Sequence, residues 1–305
     1  SEATDDDRFA AMKAAVDNGA KVVVCAGYLQ EAALRMAAKQ FTDVSFVFID
    51  GYPVGEEADV KDSPALKNIA GVAFKEEQCG YLAGYAVVKE GYTKLGFSGG
   101  GGGNNPACCR YGYGFVQGAD AAAVEMGIAD QVVMEYVYGN QFFGDSDITA
   151  YMDNWYQTLG VEVVFASGGG IYTSAAEAAA KVGGKLIGVD VDQSGNINTY
   201  GEGMCVTSAM KGLAETVKHM LGEVVAGSFA NYGGQVETLG LVSGDDPTAN
   251  YVQLPMESTQ WGDGFTQDDY KALVKAMYDG GVTVSNDISA MPATTITVNF
   301  AGNIK

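Results

Sequence analysis

Short apolar runs recur along the chain at intervals long enough to hold a helix between them. They are KVVVCAG from Lys21, VSFVFIDG from Val44, NIAGVAF from Asn68, KLGFSGG from Lys94, QVVMEYVYG from Gln131, VEVVFASGGG from Val161 and KLIGVDVDQ from Lys185. A continuous apolar run bounded by glycine or polar loops marks a strand buried on both faces. Between these runs the apolar residues fall at helical spacing. Thr4 followed by Asp5, Asp6 and Asp7 reads as an N-cap with acids in the first turn, and Phe9, Met12, Ala15 and Val16 continue the helix. Further helices are predicted over residues 30–40, 76–90, 111–126, 147–159 and 172–182. Strands alternating with helices make βαβ units, hence parallel sheets with helices on both faces. The last third breaks this alternation, with a long helix predicted from Ser208 to about Val225, then glycine-rich segments, a helix over 265–278 and a strand at TITVNF.

A chain of 305 residues suits two domains. In parallel α/β sheets the ligand sits at the carboxyl ends of the strands, so the loops AGYLQ, AFKEEQ, SGGGGGNNP, SGGGIYTS and VDVDQSGN are where a site is expected. The net charge of -20 argues against nucleic acid and against anionic lipid surfaces, and otherwise favours solubility. Five cysteines, Cys25, Cys79, Cys108, Cys109 and Cys205, have no CxxC or Cys/His metal spacing. Cys25 and Cys79 read as buried small hydrophobes. No stretch is long and apolar enough to span a membrane.

Catalytic patterns are absent from the sequence. Gly99–Gly103 follows a strand and precedes a helix, where phosphate loops occur, but it lacks the GK[ST] ending, and Asn104, Asn105 and Pro106 break a GxGxxG pattern. His219, the single histidine, falls in a helix-patterned stretch between Lys218 and Met220, a poor place for a metal ligand or general base. Asp190 and Asp192 share a face only if their strand continues, which weakens a glycosidase-like pair. Asp190 ends the run LIGV, so its carboxylate emerges at the carboxyl edge, where it could accept two hydrogen bonds from a vicinal diol or cap the next turn. Glu76 opens a helix, where it either caps or reaches towards a ligand. Tyr28, Phe74 and Tyr172 lie at strand-to-helix corners, as core residues or as faces for a planar ligand.

The segments NIAGVAFKEEQCGYLAGYAV, KLGFSGG, RYGYGFVQGADAAA, VVFASGGG, GVDVDQ and TSAMKGL, in that order, closely resemble the basic membrane protein family. These are purine-nucleoside-binding lipoproteins of ABC importers with the type I periplasmic-binding fold. The resemblance implies two doubly wound parallel-sheet lobes joined by three crossovers: residues 1–75 plus about 200–248 as lobe one, and 76–199 plus 249–305 as lobe two. It implies Asp190 as the ribose-binding carboxylate, Lys211 as a lysine facing the ligand, Glu76 at the crossover, and Gly169 and Gly170 as the turn beneath the ligand. Tyr172 falls near the base-stacking aromatic, and Asp192 stands beside Asp190. Family members have a further strand, a DxSFN-type loop and a helix before the segment equivalent to SEATDDDRF, so the first βα unit is expected to be missing and the sheet of lobe one to carry an unpaired edge in its middle.

The function expected from residues and resemblance together is capture of a small ligand, foremost a purine nucleoside, by an extracytoplasmic solute-binding protein. It is expected to be a monomer that serves an ABC permease and is tethered by a lipid anchor outside this chain or free in the periplasm. No catalysis, metal or cofactor is expected. Riboflavin or a sugar is the rival ligand, and a ligand-sensing receptor domain the rival role.

Overall fold

The computed structural model describes residues 3–52 and 65–304. The chain divides into two compact units, Ser1–Phe74 with Leu213–Leu239, and Lys75–Gly212 with Gly240–Lys305, so it passes between them three times. Helices and strands are numbered along the whole chain.

The first unit holds α1 (Asp5–Asp17), β1 (Val22–Ala26), α2 (Glu31–Gln40), β2 (Ser45–Ile49), β3 (Ile69–Phe74), and later α8 (Leu213–Val225) and β9 (Val236–Leu239). The first helix opens on a capping box: Asp7 N–H donates to Thr4 Oγ1 at 3.2 Å, and Thr4 N–H donates to Asp7 Oδ2 at 2.8 Å. The four strands run in the order β1-β2-β3-β9, all parallel. Leu34, Ala37, Phe46, Phe48 and Ile69 form the core against the helices. The sheet has no gap, since β1 pairs directly with β2 from Val22↔Ser45 to Ala26↔Ile49, and β2 with β3. The unpaired edge expected in its middle is therefore not there. β1 itself lies at the sheet edge, and within it only Cys25 is buried while Val24 is 36% exposed. An apolar run alone could not reveal this, because edge position depends on which strands pair.

The second unit holds α3 (Glu76–Lys89), β4 (Lys94–Gly99), α4 (Pro106–Met126), β5 (Val133–Tyr138), α5 (Ser146–Asn154) with a π-turn over Trp155–Leu159, β6 (Val163–Ser167), α6 (Tyr172–Ala180), β7 (Lys185–Asp190), α7 (Ser194–Ile197), β8 (Cys205–Lys211), β10 (Val252–Gln253), α9 (Gln267–Tyr278) and β11 (Thr297–Asn303). The strands lie in the order β10-β8-β7-β6-β4-β5-β11, parallel except for β10. The predicted helix from Ser208 is corrected here: residues through Lys211 form β8, paired with β7, and the helix starts at Leu213. A short buried run cannot be told from a helix by its periodicity. That pairing also places residues 200–212, assigned to lobe one from the sequence, in the second unit, together with residues 240–248. The helix expected from Tyr111 begins at Pro106, with Asn105 as N-cap accepting Cys108 N–H at 2.9 Å.

Two glycine pairs set how α3 meets α4. A β-carbon on Gly80 would lie 2.1 Å from the Tyr111 carbonyl oxygen, and one on Gly114 would lie 2.2 Å from that of Glu77. Gly84 and Gly118 repeat the contact one turn on, so the helix backbones touch with no side chain between them. On the sheet face under α4 sit Phe97, Tyr136 and Phe165, with Tyr111 and Phe115 edge-on to Phe165. On the opposite face Val164 and Ala166 pack with Ile148, Trp155 and Ala175.

Candidate ligand-binding site

The strand order reverses at β4: β5 lies on one side of it, and β6, β7 and β8 follow on the other. Loops diverge at such a switch point and leave room at the carboxyl ends of the strands. Gly99 and Ser167 are partners there, at the ends of β4 and β6. The glycines that follow have a packing reason. β-Carbons on Gly100, Gly101 and Gly168 would meet the Phe142 ring at 2.8, 2.8 and 3.2 Å, and Gly170 N–H donates to Phe142 O at 2.7 Å. The Phe142 ring therefore accounts for the missing side chains at Gly100, Gly101 and Gly168.

Asp190 ends β7 with φ 64°, a left-handed conformation rare outside glycine. Val191 N–H donates to Val189 O at 2.7 Å across it, an i to i+2 bond that makes a γ-turn of the strained, positive-φ kind. This turn brings the carboxylate to Lys211 at the end of β8, with Nζ 3.1 Å from Asp190 Oδ1. The same ammonium lies 3.4 Å from Glu76 Oε1 and 5.2 Å from the centre of the Tyr111 ring. At 3.4 Å the Glu76 contact is an ion pair without hydrogen-bond alignment. Arg110 Nε donates to Glu76 Oε2 at 2.6 Å and lies 4.0 Å from Glu77 Oε2. Tyr111 OH donates to Ala209 O at 3.2 Å and approaches Asp190 Oδ1 at 3.4 Å. Charges thus alternate along Arg110, Glu76, Lys211 and Asp190. The Glu76 and Lys211 side chains are almost fully buried, whereas that of Asp190 is 32% exposed. The carboxylate of Asp190 is the accessible end of a buried relay, oriented from behind and able to accept from donors in front. Burial, then the neighbouring Glu76, holds the Glu77 carboxyl above its usual range.

Three of the residues singled out from the sequence, Asp190, Lys211 and Glu76, thus come together. Gly169 and Gly170 form the turn after β6, and Tyr172 opens α6 half-buried against the core. Asp192 does not join the relay: its Oδ1 accepts Ser194 N–H at 3.0 Å and caps the start of α7. Burial would raise the Asp192 carboxyl, but hydrogen bonds from the Ser194 backbone and from the Ser258 and Ser194 side chains together outweigh it and hold it below the usual range. Tyr28 and Phe74 belong to the first unit, Tyr28 exposed and Phe74 buried at the end of β3.

Arg110, Tyr111, Phe143 and Gln193 escaped the sequence reading. Phe143, 43% exposed, is bridged to Gly170 beside the glycine turn. Arg110 was legible in principle: it stands four residues before Gly114 as Glu76 stands four before Gly80, so the glycine stripes of the two helices point the pair at each other. Among the described residues no His/Cys/Asp/Glu group could hold a metal. All five cysteines are buried thiols outside any disulfide, with Cys25 and Cys79 buried as read from the sequence, and burial pushes the Cys25 thiol up to about 12. The Cys108 and Cys109 thiols donate to the carbonyls of Ser167 and Gly103.

Comparison with known proteins places this arrangement. The chain belongs to the family described as ABC transporter substrate-binding protein PnrA-like, which matches residues 1–245. It is similar to Basic membrane protein B of Borreliella burgdorferi, 28% identical over 231 residues, 74% of this chain and 62% of that protein. The chain therefore spans less than two thirds of that relative. A solute-binding protein of an ABC transporter system from Conexibacter woesei shares the fold, with a TM-score of 0.64 at 20% identity over 93% of this chain and 85% of that one. So does a transcriptional activator of the comK gene from Bacillus halodurans, at 0.67 and 18% over 92% and 86%. The fold is that of type I periplasmic-binding-like proteins, α/β with parallel sheets. The family is one of solute binders and not of enzymes.

Proposed function

We propose that this protein captures a purine nucleoside outside the cytoplasm and delivers it to an ABC permease. The observation that carries the reading is the partly exposed Asp190 carboxylate backed by buried Lys211 and Glu76. A carboxylate held this way accepts two hydrogen bonds from the vicinal hydroxyls of a ribose, and each is charge-assisted. Lys211 is already engaged by two carboxylates, which leaves no surplus positive charge for a phosphate and favours an uncharged ligand. Phe143, bridged to Gly170 in the glycine turn, and Tyr172, which follows that turn, offer aromatic faces for a planar base, worth ~0.5–1.5 kcal/mol beyond area burial where a ring stacks on them. The family description supports capture and release without chemistry. The lipid anchor implied by the resemblance belongs to the same proposal.

Thermal shift with guanosine, inosine, adenosine, riboflavin, ribose and galactose tests it. A ligand at one hundred times its dissociation constant stabilises the folded state by about 2.7 kcal/mol, so one or more nucleosides should raise Tm clearly and the free sugars should not. Stabilisation by a free sugar or by riboflavin, with none from a nucleoside, would overturn the nucleoside assignment.

A further inference from the structure

We propose that Gln193 is a positioning residue for Asp190, a buried latch that holds the γ-turn presenting the carboxylate; this rests on the ligand-capture reading above. The β6–β7 pairs are Val163↔Lys185, Val164↔Leu186 and Phe165↔Ile187, beyond which β6 runs on to Ser167 paired with β4 but no longer with β7. Val189, two residues further along β7, finds its partner in a side chain instead: its N–H donates to Gln193 Oε1 at 2.9 Å. Gln193 is fixed in turn by its own N–H, which donates to Ser208 Oγ on β8 at 3.1 Å, and both residues are buried. Gly188 makes the room, because a β-carbon there would lie 2.6 Å from Ser208 Oγ and 2.8 Å from Gln193 Cβ.

Both polar groups of the Val189 backbone are therefore used within the turn, the N–H by Gln193 and the carbonyl by Val191. Asp190 is the residue left to take the positive φ. β8 carries the latch and the ion-pair partner together: Ser208 faces Gly188 in register, Met210 faces Asp190, and Lys211 follows. Removing the Gln193 acceptor would orphan a buried N–H, a cost that a strained turn avoids by relaxing. A relaxed turn carries the carboxylate away from Lys211. The motif GVDVDQ thereby divides its labour: Gly188 and Gln193 build the turn, Asp192 caps α7, and Asp190 alone meets the ligand.

The test compares Gln193→Leu, Gln193→Glu and Asp190→Ala. Affinity for inosine and guanosine is read by calorimetry, exchange of the Val189 amide by NMR, and the Asp190 carboxyl by its carbon chemical shift against pH. Gln193→Leu should weaken binding at least about tenfold, speed Val189 exchange, and let Asp190 titrate like an aspartate without a lysine partner. Gln193→Glu keeps an acceptor oxygen in place and should restore Val189 protection and most of the affinity. Asp190→Ala should lose affinity with Val189 still protected. In Gln193→Leu, either wild-type affinity or lost affinity with Val189 still protected overturns the latch. Should the wild-type protein bind neither nucleoside, the ligand assignment fails, and the Val189 and Asp190 readouts still decide the latch.

Discussion

At the scale of single residues, the site is a problem in burying charge. An ammonium as enclosed as that of Lys211 is tolerable only with carboxylates against it, and Glu76 and Asp190 supply them from two different elements. Glu77 has no such arrangement. Its Oε2 is buried without a hydrogen-bond partner, and its nearest cation, Arg110, stands 4.0 Å away while serving Glu76 at 2.6 Å. Burial therefore keeps the Glu77 carboxyl protonated to a higher pH than in the unfolded chain. Well below 4.5, its ordinary value, the group is neutral in both states. As pH rises past that point the unfolded chain releases the proton and the folded protein retains it, so this residue subtracts stability progressively until the folded carboxyl also ionises. Glu77→Gln should therefore gain stability relative to the wild type as urea melts are moved from about pH 4.5 to about pH 8. A difference that stays constant over this range would mean that Glu77 ionises normally, with Arg110 as its full partner.

At the scale of elements, the α3–α4 contact places Glu76 before Arg110, and it depends on residues that contribute no side chain. Gly114→Ala would drive a methyl group into the Glu77 carbonyl at 2.2 Å, and one helix must move. Overpacking of this kind costs ~1–3 kcal/mol, and the displaced α4 carries Arg110 with it. The variant should show a lower urea midpoint together with weaker nucleoside binding, whereas a fall in stability with full affinity would detach the relay from the helix contact. Much of this framework could be read from the chain. The apolar runs gave β1 to β7, and Asp190 at the end of LIGV gave the exposed carboxylate, because strand ends and their loops are local properties. What escaped depends on pairing. Val24 at an edge and Ser208 within β8 look like interior strand and helix until their partners are known. Gln193 reads as a polar loop residue until Val189 is seen to lack a β6 neighbour.

At the scale of the whole molecule, 38 acidic residues against 18 basic ones leave the folded chain repelling itself. Few of the visible ion pairs offset this. Lys218–Glu215 and Lys271–Asp268 lie within single helices, Lys275–Asp279 joins α9 to its C-cap, and all six partners are largely exposed; such pairs are worth little. Salt therefore has much repulsion to screen and little attraction to weaken. The buried Glu76–Lys211 contact is sheltered from it, since screening acts mainly on charges in solvent. Raising sodium chloride from about 0.01 M to about 0.1 M shortens the Debye length from about 30 Å to about 10 Å. Stability should rise by ~1 kcal/mol, which corresponds to about 2–4 °C in Tm. Affinity for an uncharged nucleoside should stay nearly unchanged across the same series, because the ligand brings no charge to be screened. A Tm that falls with salt would mean that the surface ion pairs outweigh the net charge. Binding that weakens steeply with salt would mean that the ligand is ionic and that the relay ending at Asp190 meets a charge rather than a diol.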